Sequence, residues 1–171
     1  MNRTTTRPPS PVAVLSPSGI MTAQVRGNRV FVWWQHEHGS ATPLRCFRNG
    51  FATPIAVVNW SPDGTLLLAG SLTGEVLAWQ VRQETVLLAN RFSSHLDPIV
   101  EVVCSPKGTH VAALTASGTI QVWEIARRLC VAQFACNRQA TSLIWSEDGR
   151  RLATVNGGEV EQFSNVERNQ E

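Results

Sequence analysis

Residues 61–80 decide the fold. Ser61-Pro62-Asp63-Gly64 is a tight turn, Thr65-Leu66-Leu67-Leu68-Ala69 an apolar run, Ser71-Leu72-Thr73-Gly74 a second turn, and Val76-Leu77-Ala78-Trp79 a run that ends on an aromatic. The first turn recurs as Ser16-Pro17-Ser18-Gly19, Ser105-Pro106-Lys107-Gly108 and Ser146-Glu147-Asp148-Gly149, at steps of 45, 44 and 41 residues. A turn at that period marks one structural unit repeated four times. Units of this size cannot bury a core alone and must stack.

The surroundings of the turn repeat as well. Before it stand Pro11 to Leu15, Ile55 to Trp60, Ile99 to Cys104 and Thr141 to Trp145; after it stand Ile20 to Val25, Thr65 to Ala69, His110 to Leu114 and Arg151 to Val155. A Gly or Asn turn follows at Gly27-Asn28, Gly74, Gly118 and Gly157-Gly158. The third run closes on an aromatic 18 residues from the turn Ser in units two and three (Trp79, Trp123) and 17 in unit four (Phe163). In unit one either Trp33 or Trp34 fits, and the spacing from Asn28 favours Trp33. A fourth run appears at Pro43 to Phe47, Thr85 to Phe92 and Leu129 to Phe134. Ile120 and Val122 alternate with Gln121, as in a half-buried strand. Gly, Pro and β-branched residues interrupt every helical window.

These motifs resemble WD-repeat β-propellers, from about Pro11 to Val166. The turn at Ser61 to Gly64, the pairs Trp79-Gln80 and Trp123-Glu124, and His95, 28 residues before Trp123, carry the resemblance. No aromatic is followed by Asp, and the turns Ser71 to Gly74 and Thr115 to Gly118 lack the family's turn Asp. The resemblance therefore implies blades without the family's polar network. The expected fold is all-β, with blades at about 11–50, 51–93, 94–136 and 137–166, a disordered segment at 1–10 and a polar tail at 167–171.

The last blade is short of a strand. Ser164 to Glu171 is polar, and Thr4 to Ser10 carries two prolines, which cannot donate to a ladder. The family typically has six to eight blades, so four make an incomplete or partner-completed ring. Three solutions stand open: a longer polypeptide, self-pairing into an eight-bladed ring, or a strained four-bladed closure. Uncovered blade faces predict that the isolated chain is not a stable monomer.

Composition is that of an ordinary globular protein, 43% hydrophobic and 16% charged, and the net charge of +2 is too small to indicate a polyelectrolyte partner. The N-terminus lacks a signal-like apolar stretch, and no run approaches a membrane span. Cys46, Cys104, Cys130 and Cys136 have no metal-like spacing, which points to a reducing compartment, cytoplasmic or nuclear. His36-x-His38 is the one metal-like pair and reads as a solvated loop. No nucleophile elbow or phosphate-cradling loop is present, so neither catalysis nor a cofactor is expected. Arg127-Arg128 and Arg150-Arg151 read as solvated arginines rather than nucleic-acid contacts.

The expected function is protein–protein interaction, as a non-catalytic scaffold; a half-propeller completing a ring is the alternative, and a nucleic-acid module ranks third. The resemblance implies contacts on the rim of second-to-third-strand turns and inter-blade loops. Here these are Arg26, Asn28, Phe51, Leu72, Thr73, His95, Asp97, Ser117 and Arg138. Trp34 joins them, because a Trp33 that packs inward turns Trp34 toward solvent or a partner. Phe51 and Leu72 stand out as apolar residues where polarity is expected.

Overall fold

A computed structural model describes residues 13–34, 42–47, 53–82, 85–93, 97–136, 140–156 and 158–164. Within them lie fifteen strands and no helix. The first blade is β1 (Ala13–Leu15), β2 (Met21–Arg26), β3 (Arg29–Trp34) and β4 (Thr42–Phe47). The second is β5 (Ile55–Trp60), β6 (Leu66–Ser71), β7 (Glu75–Arg82) and β8 (Thr85–Ser93). The third is β9 (Ile99–Cys104), β10 (His110–Thr115), β11 (Thr119–Glu124) and β12 (Leu129–Ala135). The fourth is β13 (Ser142–Trp145), β14 (Arg151–Asn156) and β15 (Glu159–Ser164). Each is an antiparallel meander in chain order, and among the described residues the fourth has three strands.

The repeated turn works the same way four times. Its Gly sits at φ between 69° and 73° in Gly19, Gly64, Gly108 and Gly149, a left-handed conformation that Gly adopts without Cβ strain. Its Ser hydroxyl accepts the N–H that opens the next strand: Met21, Leu66, His110 and Arg151, at 2.8–3.0 Å. In the second blade burial works to raise the Asp63 pKa, but hydrogen bonds from Ser61 and Thr65 hold it below the ordinary value. Asp148 is lowered by the Ser146 hydroxyl and the Arg150 N–H.

Register locks the aromatic in place. Leu67 faces Trp79, Val111 faces Trp123 and Leu152 faces Phe163; in the first blade Thr22 faces Trp33. Trp33 is therefore the repeat-equivalent residue. The third-to-fourth-strand pairing slips immediately before this aromatic in the first three blades, between Val32 and Trp33, Ala78 and Trp79, and Val122 and Trp123.

The core is three apolar layers, each between successive blades. In each layer the later blade contributes its aromatic face: Trp60, Leu67 and Trp79, then Cys104, Val111 and Trp123, then Leu143, Leu152 and Phe163. The earlier blade contributes its opposite face, such as Ala23, Val25, Val30 and Val32. Outer-strand phenylalanines complete two layers: Phe92 lies 5.5 Å from Trp123, and Phe134 lies 5.3 Å from Phe163. Cys104 fills the apolar pre-turn position, and burial, then the Asp63 charge, pushes its thiol up to about 12.

Neighbouring innermost strands are also tied by polar groups. Trp60 Nε1 donates to Val14 O (3.2 Å), Asn59 Nδ2 to Val102 O (3.3 Å), and the Leu143 N–H to Glu101 Oε2 (2.8 Å). Burial pushes the Glu101 pKa up, against the lowering effect of its bonds from Leu143 and Ser142. A folded value above the unfolded one means that folding binds a proton. The Glu101 contribution to stability is therefore present below the ordinary value of 4.5 and is lost as pH rises through the folded value. Glu101→Gln keeps an acceptor for Leu143 and is expected to melt as the wild type or slightly higher at neutral pH. Glu101→Ala strands a half-buried N–H and is expected to cost about 1–3 kcal/mol. Denaturant titrations of both variants across the acid range check this.

Candidate partner-binding rim

The rim is made where each second-to-third-strand turn meets the segment leading into an innermost strand. Main-chain bonds fasten the two. Gly27 O accepts from the Ile55 N–H (3.0 Å), Pro54 O from Leu72 (3.1 Å) and Pro98 O from Ala116 (2.9 Å). Buried hydroxyls hold the turns from inside. Ser71 Oγ accepts from the N–H groups of Thr73 and Glu75 at 3.2 and 3.0 Å, and Thr115 Oγ1 accepts from Thr119 at 3.1 Å. Ser and Thr side chains make such local turns without adding charge.

This frame sets the side chains that project. Leu72 is 48% exposed at its turn apex. Beside it, Thr73 is exposed and bonds the Thr53 hydroxyl at 2.9 Å, which holds the lead-in of the second blade against the turn. Arg26 is exposed, lies 5.5 Å over the Phe31 ring and donates to Gln24 Oε1 at 3.1 Å. Asn28 is exposed, and Asp97 and Ser117 are half-buried, with Ser117 bonded to Thr115 at 2.9 Å. The turns and lead-ins thus bring Arg26, Asn28, Leu72, Thr73, Asp97 and Ser117 to one end of the blades. Trp34 is not among them as a free side chain. It is half-buried and sits across from Met21, which packs on the first core. Phe51, His95, Arg138, the His36–His38 pair, segment 1–10 and tail 167–171 lie outside the described residues.

Sequence reasoning missed three exposed leucines on the outer strands. Leu87, Leu88 and Leu129 are 66%, 50% and 58% exposed on the outer strands of blades two and three. The β11–β12 turn is tied to β8, for Asn90 Nδ2 donates to Ile125 O and Arg128 Nη2 to Ala89 O. Leu87 and Leu88 are adjacent, and a strand sends such a pair to opposite faces. Among the described residues no three His, Cys, Asp or Glu side chains converge on a metal position.

The family model of the WD domain, G-beta repeat, matches residues 41–80 and 87–124. Among solved structures, the C-terminal WD40 domain of Sif2 superposes with a TM-score of 0.77 at 19% identity, over 92% of this chain and 46% of that one. The chain thus spans about half the length of that domain. No curated protein sequence matches it.

Proposed function

Taking the chain as a WD-repeat protein, we propose that it is a non-catalytic scaffold that binds protein partners on its rim. WD40 propellers generally mediate protein–protein interaction, which supports the class. One observation carries the location. Leu72 stands nearly half exposed on a turn whose polar neighbours are the hydroxyls of Ser71, Thr73 and Thr53. Phe51 precedes Thr53 by two residues in the chain. An apolar anchor ringed by neutral hydrogen-bonding groups has the composition of an interface centre. Arg26, at the corresponding turn of the first blade, is exposed.

The test compares proteins captured from cells by the wild-type chain, Leu72→Asp and Leu87→Asp. Leu72→Asp is expected to reduce retention of the wild-type partners by about tenfold or more, while Leu87→Asp retains them. The opposite pattern moves the binding surface to the outer strands and defeats the rim reading. Salt-sensitive binding of a labelled oligonucleotide, removed by Arg127→Ala and Arg150→Ala, would instead favour the nucleic-acid module.

A further inference from the structure

The stacking rule leaves one face of each kind uncovered. Every layer joins the far face of one blade to the aromatic face of the next. Among the described residues no layer covers the aromatic face of the first blade or the far face of the fourth. By register the first carries Leu15, Thr22, Gln24, Phe31 and Trp33, and the second carries Ile144, Ala153, Val155, Val160 and Gln162. Leu15, Ile144 and Val160 are 56%, 51% and 59% exposed, and Trp33 is half-buried where Trp79 and Trp123 are 3% and 4% exposed. A shallow cleft lined by Ile144, Arg151 and Gln162 opens on the fourth blade's far face.

We propose that these two faces bind one another between two copies of this chain, head to tail. The far face of one copy's fourth blade takes the aromatic face of the other's first blade, and the same contact repeats to close the ring. This goes beyond the rim reading and does not depend on it.

Three observations select a second copy as the occupant. The required surface is an aromatic blade face, and the chain itself carries an uncovered one. The polar departures are reciprocal: Gln24 replaces Ala69 and Ala113, and Gln162 replaces Ala78 and Val122, all four buried in the inner layers. The first blade's face thus keeps aliphatic and aromatic residues, the fourth's keeps aliphatic ones, and each adds an amide, the mixed composition of interfaces between folded subunits. The sizes also agree. Two copies carry twice four blades, the upper end of the propeller range, and the chain matches 46% of a solved WD40 domain. A head-to-tail pair closed by a two-fold axis leaves no face open.

Light scattering on the whole chain at high micromolar concentration is expected to give the mass of two copies. Val160→Arg on the far face and Trp33→Arg on the aromatic face each put an unpaired charge into the contact. Each is expected to weaken association about a hundredfold while leaving circular dichroism unchanged. Leu15→Glu serves as a second aromatic-face variant should Trp33→Arg misfold. Mixing the Val160→Arg and Trp33→Arg chains leaves one intact contact and is expected to restore a one-to-one pair, weaker than the wild type. A wild-type chain that stays single overturns the proposal. So does a pair that survives Val160→Arg, because two aromatic faces would then be meeting each other.

Discussion

Gly70→Ala is expected to destabilise the fold by about 3 kcal/mol and to lower the melting temperature by about 6–12 °C. A Cβ at Gly70 would lie 2.4 Å from Ile99 Cγ2 and 2.6 Å from its Cβ. Neither atom is the free end of a long side chain. Ile is branched at Cβ and stiff at χ1, and Ile99 is 1% exposed at the start of β9. Relief therefore needs movement of β6 against β9, the centre of the second layer. The other layers fill the same two positions differently. Val25 shares the first layer with Ile55, and Leu114 shares the third with Ala140. Those pairs occupy the same two repeat positions as Gly70 and Ile99. The third layer reverses the sizes, with Leu114 against Ala140 where the second has Gly70 against Ile99, and the first holds Val25 and Ile55 together. Gly70→Leu combined with Ile99→Ala recreates the third layer's pair. It is expected to be more stable than Gly70→Leu alone, with a coupling above about 1 kcal/mol. A Gly70→Ala chain that melts like the wild type would mean that β6 and β9 do not approach closely.

The strands were legible because their signals are local. A Ser-x-x-Gly turn needs four residues, and the count to the aromatic fixes the third strand; hence Ile55–Trp60 and Ile99–Cys104 appear with the expected bounds. The choice of Trp33 over Trp34 rested on one spacing, and the pairing of Thr22 with Trp33 agrees with it. Which face meets which neighbour was not legible. In the middle blades both faces are apolar, and a period of two separates faces without saying what covers them. The same ambiguity concealed Leu87, Leu88 and Leu129, since apolar residues on an outer strand read as core. The rim was legible only as positions. That Leu72 projects while Ser117 is half-buried depends on hydroxyl bonds and lead-in contacts that join residues far apart in sequence.

Trp123→Ala is expected to cost about 3–5 kcal/mol, whereas Trp33→Ala at the same repeat position is expected to cost less than about 1 kcal/mol in dilute solution. Both residues close the third strand of a blade, and both sit after the same register slip. Their surroundings differ. Trp123 is 4% exposed, stacks beside Phe92 and fills the second layer with Leu68, Val76 and Ala78. Truncation there removes a large buried surface and leaves a cavity between two blades whose strands cannot collapse onto it. Trp33 is half-buried and belongs to none of the three layers, so its truncation opens no cavity. The contrast separates intrinsic repeat chemistry from stacking: a cost set by the third-strand position alone would be equal at both sites. It also depends on concentration. If two copies meet through the first blade's aromatic face, the Trp33→Ala deficit grows as the chain is concentrated, because folding then draws on association. The Trp123→Ala deficit stays constant, since its layer is internal to one copy. Denaturant midpoints for both variants, measured at low and high protein concentration, decide between these outcomes.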